Sequence, residues 1–277
     1  MRWRRAPVAR LVLPLVLLPL VGAACGGGGS SSKSSAPTVS NLTPVAYVKG
    51  AASKTAQATS EHVSLQGDAE AVSQHVTLSG DGDFDQQKHI GAMHAQFSAP
   101  GVDGAIDEVL SGTTIYMKSS LFSAALPQGR SWLKLDLAKV GKAKGINVSA
   151  LLSQSPSRSL GQLQGLTKVT KVGTDTIDGT STTHYRGHID ITKVPEGAKL
   201  EALTHATYTP FDIWVGNDDG YIRRFKFAVA YIVAAGGDAD FSLTMNFSDF
   251  GKTVDVTEPA ASDVYDATNM ALPGLGG

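Results

Sequence analysis

The stretch Tyr221-Ile-Arg-Arg-Phe-Lys-Phe-Ala-Val-Ala-Tyr-Ile-Val233 alternates between large apolar side chains and polar or small ones. Phenylalanine, valine and tyrosine occupy the odd positions from 225 to 231, whereas arginine, lysine and alanine occupy the even positions from 224 to 230. Because successive side chains of a β-strand point to opposite faces of the sheet, this pattern predicts a strand with one apolar face. The apolar Phe211–Val215 and the turn residues Asn217-Asp-Asp-Gly220 precede it, so a long β-hairpin is expected.

The same two-residue period recurs through most of the chain. Phe241–Ser248 alternates as clearly as the hairpin does, and Trp132–Leu137 places three leucines on one face of a predicted strand. Further strands are predicted at 61–67, 72–78, 87–98, 105–110, 114–118, 168–172 and 182–191. Turns are predicted at Ser79-Gly-Asp-Gly-Asp83, Ser111-Gly112 and Asp178-Gly179. Short turns between consecutive strands indicate an antiparallel sheet.

Three segments show helical spacing instead. Leu42–Thr59 has apolar residues three and four apart behind the capping residue Ser40. Pro156 divides 147–166 into two short helices, and Pro195–Tyr208 opens with a proline, which suits the first turn of a helix.

The strands number about nine to eleven, and several are long enough to twist and curl. We therefore predict an α+β fold over 40–266, a strongly curved antiparallel sheet with helices packed on its concave face. The end of the chain, 267–277, is expected to be a loose tail.

The N-terminal segment has the order of a secretory signal peptide. Four arginines lie in the first ten residues, an apolar run follows, and Cys25, the sole cysteine, comes directly after small residues. Residues 1–24 are therefore interpreted as a signal peptide. The cysteine resembles that of a bacterial lipobox, which implies a lipidated Cys25 as the first mature residue; plain secretion with an unpaired thiol is the alternative. The Gly/Ser-rich remainder of 25–39 is expected to be a flexible linker.

Composition limits the classes of function. Without the four arginines of 1–24, the chain has 20 basic and 25 acidic residues and a formal charge of −5, so no nucleic-acid partner is expected. A single cysteine excludes an intramolecular disulfide, so burial has to stabilise the roughly 250 mature residues. We expect a monomer.

No catalytic or metal motif is recognised, so neither enzyme activity nor a cofactor is predicted. Gly161-Gln-Leu-Gln-Gly165 has the glycines of a nucleophile elbow but no serine between them. His184 and His188 are four residues apart on a predicted strand, about 13 Å, which is too far for shared metal coordination. Asp81-Gly-Asp-Phe-Asp85 resembles the start of a calcium loop but lacks the glycine and glutamate that such a loop requires later.

Four stretches resemble one known family. They are Trp132-Leu-Lys-Leu-Asp136, Gly179-Thr-Ser-Thr-Thr-His-Tyr-Arg-Gly-His-Ile-Asp190, Phe211–Val215 with Gly220–Arg224, and Ser248-Asp-Phe-Gly251. Together they are similar to the actinobacterial LppX/LprAFG-type lipoproteins and their relatives with the LolA/LolB-like half-barrel. This resemblance implies an eleven-stranded half-barrel capped by helices and an apolar cavity that holds acyl chains. It also implies a lipid anchor on the outer, extracytoplasmic face of the cell membrane.

The odd positions of the hairpin and of the next strand form the candidate cavity lining: Phe225, Phe227, Val229, Tyr231, Phe241, Leu243, Met245 and Phe247. The same face would equally make an ordinary packed core, and that alternative stays open. The leading hypothesis is an envelope lipoprotein that binds lipid or glycolipid acyl chains and carries them within the envelope, with an export partner. The alternative is a lipoprotein adaptor or sensor that binds a protein partner without transporting lipid.

Overall fold

The computed structural model describes residues 42–71, 74–144, 156–160, 163, 165–193, 201, 206–232 and 238–269. The predicted signal peptide, Cys25 and the linker lie outside these ranges. So do most of the helix predicted at Pro195–Tyr208, the first of the two helices predicted within 147–166, and residues 270–277 of the expected tail.

The described part of the chain includes twelve strands and three α-helices. The strands are β1 Ser60–Ala71, β2 Gln74–Asp85, β3 Ile90–Ala99, β4 Val102–Ser111, β5 Thr114–Ser119, β6 Trp132–Asp136, β7 Leu166–Ile177, β8 Thr180–Asp190, β9 Tyr208–Gly216, β10 Ile222–Ile232, β11 Asp238–Ser248 and β12 Val264–Asp266. The helices are α1 Pro44–Ala56, α2 Leu137–Lys144 and α3 Pro156–Leu160.

All twelve strands belong to one sheet, in the order β12-β6-β5-β4-β3-β2-β1-β11-β10-β9-β8-β7. Two antiparallel meanders, β1–β6 and β7–β11, lie side by side because β1 pairs with β11 along most of its length. β12 differs from the other strands, since it pairs parallel with β6. Within the described residues, β7 and β12 are the two edges, so the sheet is open.

The hairpin between β7 and β8 shows how local sequence sets the strand connections. Asp178 and Gly179 have φ angles of 46° and 77°, both in the left-handed region. Two such residues form the turn whose twist matches that of the flanking strands, and Asp-Gly is a preferred pair for it. The turn predicted here is confirmed, as is the one between β4 and β5.

Helix α1 packs on one face of the sheet and forms the core with it. The helix begins after Thr43, whose Oγ1 accepts a hydrogen bond from the Ala46 N–H at 3.3 Å; the predicted capping residue Ser40 lies outside the described residues. Its buried side chains Val48, Ala51 and Ala52 join a core with these members from α3 and six strands: Leu160, Val63, Leu166, Val169, Tyr185, Phe211, Ile213, Val215, Ile222, Phe225 and Phe247. The core therefore lies beneath α1 and α3.

A buried threonine connects α1 to the sheet. The Thr55 hydroxyl donates to the Ala51 carbonyl oxygen at 2.8 Å and accepts from the Ile222 N–H at 2.9 Å. Because Thr55 and Ile222 are both fully buried, this bond satisfies a backbone donor that water cannot reach. It holds the last turn of α1 against the start of β10.

One predicted turn is wrong. Ser79–Asp83 lies inside β2, and the chain reverses at 86–89 instead. The glycines suggested a reversal, but they occupy alternate positions of a strand where a larger side chain has no room. A Cβ on Gly82 would lie 2.5 Å from the Ala92 carbonyl oxygen, and one on Gly80 would lie 2.7 Å from that of His94. Asp81 and Asp83 point to the opposite face.

The predicted architecture is confirmed at the level of one mostly antiparallel, open sheet with few helices. The described residues contain twelve strands rather than about eleven, because Val264–Asp266 adds a strand beside β6. Helix α2 was not predicted; Leu137, interpreted as part of a strand, begins it. Ala267 and Thr268, at the start of the expected tail, are buried, and Thr268 Oγ1 accepts a hydrogen bond from the Asp136 N–H at 3.0 Å.

Candidate functional site: the inner face of the sheet

We call the face that carries α1 and α3 the inner face, and the opposite one the outer face. Cross-strand partners point to the same side of a sheet, so register shows which residues share a face. The four predicted lining residues of β10 each lie opposite a residue of β11, and Phe247 of β11 lies opposite Val63 of β1. All eight predicted residues occupy inner-face positions: Phe225, Phe227, Val229, Tyr231, Phe241, Leu243, Met245 and Phe247.

Burial divides this set into two groups. Phe225 and Phe247 are only 5% and 2% exposed and belong to the core under α1. Phe227 and Met245 are half-buried and pack against that core. Val229, Phe241 and Leu243 are also half-buried, but they are not among the residues that pack against the core. The Tyr231 side chain is not among those that the structure describes. The core alternative therefore holds for Phe225 and Phe247, whereas a cavity-lining role for the set stays a prediction.

The apolar inner face continues across the first meander. Alternate positions of β1 to β6, in register from strand to strand, carry half-buried aliphatic side chains and methionines. They are Leu65, Val76, Leu78, Met93, Ile106, Leu110, Ile115, Met117, Leu133 and Leu135. Because these side chains keep part of their surface accessible, the inner face is sealed near α1 and partly accessible at these ten positions.

Phenylalanines and glycines pack across neighbouring strands on this face. A Cβ built on Gly104 would lie 2.3 Å from the Phe97 ring, and one built on Gly91 would lie 2.6 Å from the Phe84 ring. Each ring therefore covers the glycine on the next strand. Phe97 is buried.

On strands β2 to β6, one inner-face residue is ionisable. Glu108 lies opposite Met93 on β3 and Met117 on β5. Its half-buried carboxyl has no hydrogen-bond or ion-pair partner among the described residues, and burial raises the pKa of Glu108 above its ordinary value of 4.5. Sequence reasoning missed it, although its position between Ile106 and Leu110, in phase with the apolar residues of β4, was a readable signal.

A pocket opens where β9 and β10 separate. Their last paired residues are Phe211 and Phe227, but β9 extends to Tyr208 and β10 to Ile232. Pro210 is the next residue of β9 beyond this last pair, and it has no N–H with which to continue the hydrogen bonds between the two strands. A pocket of about 560 Å³ lies at this fork, and its lining includes Val229 and Phe241 as well as polar outer-face residues.

The outer face over β8 to β10 carries a polar and aromatic cluster. His184 stacks on Trp214 with ring centroids 4.2 Å apart, and its Nε2 lies 2.5 Å from Asp212 Oδ1. Trp214 Nε1 donates to Asp175 Oδ2 at 2.7 Å, and Arg224 lies over the same indole. His184 therefore contacts a carboxylate and an indole on the sheet surface.

No group of three or more histidine, cysteine, aspartate and glutamate side chains within the described ranges could hold a metal ion. No helix in the described part of the chain is long and apolar enough to cross a bilayer.

Comparison with the sequence models of known protein families identifies the family of this chain. The sequence model of the LppX_LprAFG lipoprotein family matches residues 43–256, most of the chain. The chain belongs to this family. The family predicted from the four sequence stretches is thus confirmed.

The individual proteins to which this LppX_LprAFG member is similar share a quarter of its residues or fewer in the aligned regions, apart from the first of them at 26%. An uncharacterised 31.2 kDa protein of Streptomyces griseus is 26% identical over 259 residues, which cover 85% of this chain and 83% of that protein. Among solved structures, LppX of Mycobacterium tuberculosis is 19% identical and covers 77% of this chain and 99% of its own, with a TM-score of 0.46. LprF of Mycobacterium bovis is 17% identical and covers 78% and 96%, also with a TM-score of 0.46.

Two of the stretches that resemble the LppX_LprAFG family meet in the outer-face cluster. His184 comes from the stretch that ends at Asp190, and Trp214 comes from Phe211–Val215. The first stretch contains β8 and the second lies within β9, and the two strands pair from Thr182 with Gly216 to Asp190 with Tyr208. The family resemblance therefore includes residues that hold adjacent strands together as well as residues of the inner face.

Proposed function

We propose that this protein is a membrane-anchored envelope lipoprotein that binds acyl chains of a lipid or glycolipid along the inner face and carries them within the envelope. The observation that carries the proposal is the continuous, partly accessible apolar surface from β11 to β6. A contiguous apolar surface that is accessible often marks a ligand-binding groove. Membership of a lipoprotein family supports the same conclusion.

The dimensions of the inner face suit an acyl chain. From β11 to β6 there are six strand spacings of about 4.8 Å, or about 29 Å along the sheet. One leaflet of a bilayer contributes about half of a hydrocarbon core that is roughly 30 Å thick. An extended acyl chain can therefore lie across the inner face with its whole length on apolar side chains.

We further propose that the sheet curves around this face, with α1 and α3 on the concave side. The close approach of β2 to β3 at Gly80 and Gly82 supports such a bend, since an inner-face side chain would collide with the next strand there. Binding is then a transfer between two apolar surroundings and needs no covalent step or catalytic residue. A diacylglyceryl group on Cys25 and the linker after it would hold the binding face near the bilayer.

A steric block of the inner face tests the proposal. Tryptophan at Leu243, which is half-buried on the inner face, should displace part of a bound chain, and loss of about two methylene contacts costs about 1.6 kcal/mol. This corresponds to a decrease of about tenfold in affinity. The full chain is purified from membranes in mild detergent, and bound lipid is measured by native mass spectrometry. Thr244→Trp, on the outer face of the same strand, is the matched control.

The wild-type protein should carry lipid adducts, Leu243→Trp should lose most of them, and Thr244→Trp should retain them. A wild-type protein that is empty, or equal loading of the two variants, would contradict lipid binding on this face. A photo-reactive amino acid at 243 in cells separates the adaptor alternative, because a carrier cross-links to lipid there and an adaptor to one protein.

A further inference from the structure

Glu108 stands alone on its part of the sheet. The inner-face positions of β2 to β6, all of which the structure describes, carry no other ionisable side chain. Its cross-strand neighbours are Met93 and Met117, and its neighbours two residues away on β4 are Ile106 and Leu110. The carboxyl thus projects from the middle of the surface on which an acyl chain would lie.

Two other acidic residues of the same meander have partners. Glu61, also on the inner face, accepts hydrogen bonds from the Gln86 side chain and the Ser157 N–H, each at 3.4 Å. Asp107, adjacent to Glu108 but on the outer face, lies 2.6 Å from His94 Nδ1. Within the described residues, nothing comparable reaches Glu108. It contributes no bond to the fold, and placing a carboxyl among apolar side chains costs free energy.

The surroundings of Glu108 favour the neutral form of its carboxyl. Burial raises its pKa, and no cation among the described residues opposes that shift. A neutral carboxyl both donates and accepts a hydrogen bond. A hydroxyl group has the same two capacities, so the two can pair with neither charge nor an unsatisfied atom left in an apolar site. An anionic group would be repelled by the ionised form, and a cationic amine would have to be buried with its charge.

We propose that Glu108 hydrogen-bonds a neutral hydroxyl group on the bound lipid and so selects hydroxylated lipids over purely apolar ones. This rests on the proposed function, because the hydroxyl reaches Glu108 only if the acyl chain occupies the inner face. β4 lies four strand spacings from β11, about 19 Å along the sheet. The hydroxyl belongs either to the acyl chain itself or to the polar end of the lipid, and the test separates these two sources.

Three probes with the same chain length test the selection. Methyl octadecanoate has no hydroxyl, methyl 12-hydroxyoctadecanoate has one on the chain, and octadecan-1-ol has one at the end. Each competes with a fluorescent acyl ester for the purified full chain in the same detergent. The proteins compared are the wild type, Glu108→Leu, Glu108→Gln, and the control Asp107→Asn on the outer face of the same strand.

The wild-type protein should prefer at least one hydroxylated probe over methyl octadecanoate by about tenfold, since a buried polar group left unpaired costs about as much as this ratio represents. Glu108→Leu should abolish or reverse the preference, whereas Glu108→Gln and Asp107→Asn should keep it. The arm that shows the preference identifies the source of the hydroxyl. Equal affinities of the wild type for the three probes, or an unchanged preference in Glu108→Leu, would overturn the role of Glu108 but not the proposed function. If none of the probes binds, the proposed function fails with it.

Discussion

Two glutamates on the inner face, Glu61 and Glu108, differ in what surrounds them. Glu61 lies at the start of β1, where the side chain of Gln86 and the backbone of α3 donate to it. Glu108 lies within β4 among methionines and aliphatic side chains. The same side chain therefore joins elements of the fold in one place and has no partner among the described residues in the other.

The raised pKa of Glu108 predicts a pH-dependent penalty on stability. A carboxyl whose pKa is higher in the folded than in the unfolded protein stabilises the fold fully below the unfolded value, near 4.5, and loses that contribution as the pH rises through the folded value. Glu108→Gln has no such group. We expect the variant to unfold at a higher temperature than the wild type at pH 7, with a smaller difference at pH 4.

Differential scanning calorimetry at the two pH values measures this difference. Asp107→Asn should show no such gain, because its carboxylate is exposed and contacts His94. A difference between Glu108→Gln and the wild type that is the same at both pH values would show that burial does not perturb Glu108.

At the scale of the element, glycine has two different structural uses in this protein. In the turn between β7 and β8, Gly179 adopts a positive φ that other residues disfavour. In β2, Gly80 and Gly82 are needed because a neighbouring strand occupies the space of a Cβ. Sequence reasoning recognised only the first use, since both produce the same run of glycines and aspartates. The alternation of Gly80 and Gly82 with Asp81 and Asp83 was the signal for a strand.

The close approach predicts a large effect of one methyl group. Gly82→Ala would place a Cβ 2.5 Å from a backbone oxygen, so the strands must shift. Overpacking of this kind costs about 1–3 kcal/mol, which lowers Tm by about 2–4 °C per kcal/mol in a domain of this size. Gly173→Ala in β7 is the control, because nothing lies within 4 Å of its Cβ position. Thermal unfolding of both variants checks the prediction, and a Gly82→Ala Tm equal to that of Gly173→Ala would contradict it.

At the scale of the whole molecule, the two meanders share one sheet but differ in cover. Helix α1 packs over β7, β9 and β10 and against α3, and the buried core lies there. The inner face of the β1–β6 meander stays partly accessible. A buried core and a partly accessible apolar surface therefore coexist on one face, as the proposed binding of an acyl chain requires.

The proposed anchor is also a property of the whole molecule, because it places the binding face at a membrane. Metabolic labelling with an alkyne-bearing fatty acid should tag the wild-type chain and not Cys25→Ser. Moving the thiol five residues away, in the double variant Cys25→Ser with Ser30→Cys, should not restore labelling, since lipidation depends on the position directly after the signal peptide. In-gel fluorescence reads the result. Labelling of Cys25→Ser would contradict the anchor.

Local alternation was sufficient to assign inner-face residues such as Phe225, Leu243 and Leu133, because side-chain direction in a strand repeats every two residues whatever the strand pairs with. Asp-Gly turns and the four family-like stretches were readable for the same reason: each depends on residues close together in the chain. Three features could not be predicted from the local sequence: the pairing of β1 with β11, the added strand β12, and the division of the inner face into sealed and accessible parts. They arise from contacts between residues far apart in sequence, and only the folded chain determines which distant strand or helix covers a given apolar side chain.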